Sequence, residues 1–157
     1  NQLYLAATNQ LVYGAHPDIV NRYVSSTIFT LDLATGEIAS LGEIEESFGW
    51  AINPLDESIY GLRLATDETG FRLVELQLTD SEASTRLLSQ EDLDISSLSS
   101  HTQTIHTATN SYICRGGSTQ EGMNENNIYS IDLNTGELVR TVNVGNSNQL
   151  ILNIDGE

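Results

Sequence analysis

The chain has 157 residues, of which 39% are hydrophobic and 18% charged. This composition can bury a core, so disorder is not the default expectation. Acidic residues total 22 against 6 basic ones, all arginine, so the formal net charge is −16. This charge argues against nucleic acid and anionic lipid as partners, because phosphates would be repelled. No apolar run approaches the roughly 18 residues of a membrane helix, so membrane insertion is not expected.

The first predicted elements are two hairpins. Residues 3–7 are expected to turn at residues 8–10 into a strand at residues 11–14. A long loop, residues 15–26, follows. Residues 28–32 then alternate apolar and polar side chains, as a half-buried strand does, and meet the turn Asp-Leu-Ala-Thr-Gly-Glu. Its glycine tolerates the positive φ that a tight hairpin requires, so residues 37–41 are predicted to return antiparallel.

The rest of the chain follows the same scheme of paired hairpins. Long polar loops are expected at residues 90–100 and 116–127. The predicted hairpins, each given as strand, turn and strand, are 49–52, 53–57 and 58–62; 71–78, 79–82 and 84–88; 103–108, 109–110 and 111–114; and 128–132, 132–137 and 137–144.

An internal repeat connects these hairpins. Residues 28–38 match residues 128–138, and both contain Asp-Leu-x-Thr-Gly-Glu. The copies lie 100 positions apart, too far for one repeat of about 40–50 residues, and residues 71–88 form a degenerate copy between them. The chain is therefore predicted to be a single segment, 1–157, of three four-stranded units. Their approximate bounds are residues 1–45, 46–98 and 99–145, and residues 146–157 are the first strand of a further unit.

Four-stranded antiparallel units in series are typical of β-propellers. The Asp-Leu-x-Thr-Gly-Glu turn resembles that of bacterial YncE-like, quinoprotein-like and lactonase-like propellers. The resemblance implies an all-β fold of about three four-stranded antiparallel blades, and it implies nothing specific about function. The Trp-Asp dipeptide and the tryptophan-docking motif of two propeller families are absent, so no functional residue is transferred. A β-sandwich or jelly roll of about twelve strands is the alternative fold.

Three blades do not make a closed propeller, which typically has 4–8 blades. Open edges expose unpaired strand groups and favour association. Two interpretations follow: two copies of the chain form a homodimer that closes a six-bladed ring, or the chain is a fragment of a larger propeller. A partner protein or self-association is expected in either case.

Glu91, Asp92 and Asp94 are the candidate metal ligands. They lie in the second long loop, and calcium prefers several oxygen ligands. Their spacing does not match an EF-hand, and a solvated acidic loop is the alternative. Cys114, the single cysteine, cannot form an internal disulfide and is predicted to be a small buried hydrophobe, with a reactive thiol as the alternative.

The candidate ligand-binding residues are Arg63, Arg115, His16 and His101. The arginines end equivalent strands of neighbouring units, where they could bind an anion at a channel rim or pair with carboxylates. His101 and His106 are five residues apart, which places them on opposite faces of a strand and argues against a shared metal. No Gly-x-Ser-x-Gly elbow occurs, and no catalytic residue is predicted.

These observations predict a non-catalytic propeller module that binds a protein or ligand, or has a structural role, in an extracellular, cell-surface or periplasmic location. No cofactor is expected. One alternative is a lactonase-like hydrolase at the channel mouth with carboxylate-bound calcium. Another is a segment of a surface or filament-forming protein whose open blade edges join neighbours.

Overall fold

The computed structural model describes residues 2–11, 22–65, 70–79, 81–95, 97–98, 102–117 and 126–144, with the backbone alone for residues 2–11, 22–25, 45 and 48. The described part is all-β, which confirms the predicted class: it contains twelve strands and one short 3-10 helix. No helix in this part could span a membrane. The chain divides into two compact units, Asn1–Phe48 with Leu76–Thr85 and Gly49–Glu75 with Arg86–Glu157.

The first sheet has the antiparallel order β1-β2-β3, formed by β1 (Gln2–Leu11), β2 (Arg22–Asp32) and β3 (Ile38–Glu45). Buried and half-buried residues alternate from Ser26 to Thr30, as the sequence pattern predicts. The predicted turn at residues 8–10 is wrong, because β1 continues to Leu11 and its pairing with β2 only shifts register between Asn9 and Gln10. These residues include no glycine for a tight hairpin. The predicted loop 15–26 is wrong from Arg22 onward, since β2 begins there.

The second sheet has the order β4-β5-β6-β7, from β4 (Ser47–Ile52), β5 (Ile59–Leu64), β6 (Phe71–Leu78) and β7 (Ala83–Leu87). Both of its predicted hairpins are confirmed. Its most deeply buried side chains lie on the two middle strands: Leu62, Leu73 and Val74 are each 0% exposed. The outer strand β7 is mostly exposed, so burial decreases toward this edge.

The third sheet is formed by β8 (Ser97–Leu98), β9 (Thr104–His106), β10 (Ser111–Gly117), β11 (Asn127–Asp132) and β12 (Leu138–Asn143). Its order is β12-β11-β10-β8, and β9 also pairs with β10. One edge of β10 therefore serves two partners, with β9 beside Ser111–Ile113 and β8 beside its last two residues. Residues 90–100 are thus not only a loop, because β8 lies within them.

The predicted Asp-Leu-x-Thr-Gly-Glu turns are confirmed in matching geometry. Asp32 Oδ1 accepts from the N–H groups of Ala34 and Thr35 at 2.7 and 3.1 Å. Asp132 Oδ1 accepts from Asn134 and Thr135 at 2.8 and 2.9 Å. The glycines at the fifth positions have φ of 75° and 71°. The side chain of the first residue thus closes each turn, and the glycine supplies the left-handed conformation.

The strand register repeats along with the turn. Asp32 lies opposite Gln2, the first residue of β1, and Asp132 lies opposite Ser111, the first residue of β10. On the other side, Leu31 pairs with Ile38 as Ile131 pairs with Leu138. The first and third sheets therefore share one three-strand pattern around the turn.

Candidate functional site

The acidic candidates lie in the segment that connects the second and third sheets. Leu93, which lies between Asp92 and Asp94 in the sequence, is only 6% exposed, and its N–H donates to the Phe71 carbonyl at 2.7 Å. Asp92 forms an ion pair with Arg72, and each side chain is 33% exposed. Glu91 is exposed and Asp94 is half-buried. The Arg72 guanidinium thus already pairs with the carboxylate of Asp92, the middle one of the three candidate ligands. Calcium ligation by this segment stays a prediction.

The two candidate arginines have different surroundings. Arg63 on β5 is exposed. Arg115 on β10 is half-buried, and its Nη2 donates to Asn126 Oδ1 at 2.8 Å. Its Nε is buried with no hydrogen-bond partner. The described hydrogen-bond partner of Arg115 is therefore an amide, whereas its sequence position predicted a carboxylate or an anion.

The candidate histidines His16 and His101 lie outside the described residues. His106, on β9, forms a 2.7 Å hydrogen bond through Nδ1 with Thr109 Oγ1. Within the described ranges, no three His, Cys, Asp or Glu side chains group in a way that could hold a metal ion.

Cys114 lies at the centre of β10 and is 0% exposed. Burial raises the pKa of its thiol well above the usual range, because a thiolate would lose its hydration there. The prediction of a small buried hydrophobe is confirmed, and the reactive-thiol alternative is not supported by this environment.

A junction between the second and third sheets is centred on one buried hydroxyl group. We define the Ser89 junction as Leu73, Leu88, Ser89 and Gly136. Ser89, 2% exposed, follows β7 and accepts at Oγ from the Leu73 N–H at 2.8 Å. Its hydroxyl donates to the Gly136 carbonyl at 2.7 Å. One buried hydroxyl therefore links a strand of the second sheet to the β11–β12 turn of the third.

The backbone packing at this junction is close. A Cβ on Gly136 would lie 2.6 Å from Ser89 Cα and 2.6 Å from the Leu88 carbonyl carbon. Real Cβ atoms do not approach other atoms so closely, so only glycine fits without a backbone shift. The glycine of this turn therefore has two roles: it adopts positive φ, and it lets the neighbouring sheet approach.

A second contact joins the same two sheets. Tyr112 on β10 is 0% exposed, and its hydroxyl donates to the Gly49 carbonyl on β4. Burial raises the pKa of this phenol well above its usual range, so it stays protonated and able to donate. Gly49 has φ of 70°, and a Cβ there would lie 3.0 Å from the phenol oxygen. Tyr112 thus anchors the third sheet to β4.

No known protein family, curated protein or solved structure gives a significant match to this chain.

Sequence reasoning located the turns of both repeat copies, but it did not identify the residues of the Ser89 junction. Ser89 carries no sequence signal, because serine is common and this residue lies just past the predicted return strand at residues 84–88. Gly136 was interpreted as a turn residue alone. Its second role depends on a neighbour 47 positions away along the chain, and such contacts between sheets are not encoded in local periodicity.

Proposed function

We propose that the chain is a run of propeller-type blades that acts as a non-catalytic binding or structural module and assembles with a second copy into a ring. The observation that carries this proposal is the docking of the β11–β12 turn on Ser89 of the preceding sheet. In this contact the turn of the β11–β12 hairpin, in the third sheet, packs on the segment that follows β7 of the second sheet. Propellers likewise repeat sheets side by side, as four-stranded blades around a central channel.

Two further observations support a repeated contact of this kind. The first and third sheets share their turn geometry and the strand pairs next to the turn. The end of the β6–β7 hairpin, Leu76–Thr85, belongs to the same compact unit as the first sheet. The end of a hairpin of the second sheet therefore shares a compact unit with the first sheet.

A module of this type presents surfaces rather than a reaction centre. The described loops contain carboxylates such as Glu91 in exposed positions. With a net charge of −16, these surfaces favour cationic or neutral partners and disfavour polyanions. The extracellular, cell-surface or periplasmic location remains part of this proposal, supported by the acidic composition and the propeller resemblance.

Small-angle X-ray scattering and negative-stain electron microscopy of the purified chain test the proposal. A compact ring with an axial hole and twice the 17.2 kDa chain mass is the expected particle. An extended filament would favour the surface-polymer alternative, and a monodisperse monomer would contradict ring assembly.

Calcium titration addresses the non-catalytic part of the proposal. We expect no heat of calcium binding at millimolar ion in isothermal calorimetry, since Arg72 already neutralises Asp92. Glu82, an exposed carboxylate in the β6–β7 turn, provides the control. The non-catalytic proposal would be overturned by calcium-dependent hydrolysis of a lactone that Asp92→Asn abolishes and Glu82→Gln retains.

A further inference from the structure

We draw no further inference here: the strongest candidate, the exposed apolar patch of Leu33 and Ile38 beside the β2–β3 turn of the first sheet, points to no occupant, because nothing in the described part of the structure shows what covers it.

Discussion

At the scale of single residues, the interior of β10 determines the chemistry of its polar side chains. Tyr112 and Cys114 are each 0% exposed, and burial raises the pKa of both. Tyr112 finds a carbonyl acceptor at Gly49, so its hydroxyl is satisfied. The two residues therefore act as packing groups, and their acid–base chemistry is suppressed.

The thiol of Cys114 is expected to be unreactive in the folded protein. Its modification by a disulfide reagent at pH 8 should be at least about a hundredfold slower in the native chain than in denaturant, since opening must precede attack. Absorbance of the released thiolate measures both rates. Equal rates would show that the β10 interior is open to solvent.

The Asp32 carboxylate is expected to couple stability to pH. The N–H groups of Ala34 and Thr35 lower its pKa below the ordinary value of 3.8, because they stabilise the charged form. This contribution to stability is complete above the unfolded pKa and is lost as pH falls through the lower folded pKa. A carbon-detected NMR titration measures the pKa directly.

Substitution at Asp32 provides the control for that titration. Asp32→Asn keeps a side-chain oxygen but not the charge, so the stability difference from wild type should shrink between pH 7 and pH 3. Asp32→Ala should remain less stable than Asp32→Asn at both pH values, because it loses the acceptor for two N–H groups. If the stability difference between wild type and Asp32→Asn were the same at pH 3 as at pH 7, the lowered pKa of Asp32 would be contradicted.

At the scale of elements, one turn sequence occurs in two environments. Both copies have Asp at the first position and a glycine at positive φ. In the described part of the chain, the β11–β12 copy packs against another sheet through Ser89, whereas no atom lies within 4 Å of a Cβ placed on Gly36. Differences between equivalent substitutions therefore isolate the contribution of this packing from that of the turn itself.

The glycines of the two turns provide this comparison. Gly36→Ala is expected to lower the free energy of unfolding by about 1 kcal/mol, the cost of a left-handed alanine. Gly136→Ala has the same backbone cost and adds about 1–3 kcal/mol, because its Cβ meets the Ser89 backbone. Chemical denaturation measures both values. Equal losses would show that the junction can separate without cost.

At the scale of the whole molecule, the net charge of −16 opposes association of two copies. Raising the salt concentration shortens the Debye length and therefore weakens this repulsion. We therefore expect the dimer dissociation constant to fall as sodium chloride rises from about 0.05 to 0.5 M. Sedimentation at several salt concentrations measures the trend. A constant that rises with salt would indicate that attractive ion pairs dominate the interface.

The strands and turns were predictable because their signals are local. Alternation at residues 28–32 predicts a half-buried strand, and the Thr-Gly of the turn predicts the left-handed residue that the structure contains. The misplaced turn at residues 8–10 shows the limit of this reasoning. Polar residues there suggested a turn, but pairing along the full length of β2 keeps β1 extended.

By itself, the sequence determined the all-β class, the two matched hairpin turns and the burial of Cys114, because each depends on side chains within a few residues. Only the tertiary structure decided that Gly136 is covered and Gly36 is open, and that Asp92 is paired with Arg72. These outcomes depend on which distant segments meet, and two turn sequences that differ only at Ala34 and Asn134 carry no information about their neighbours.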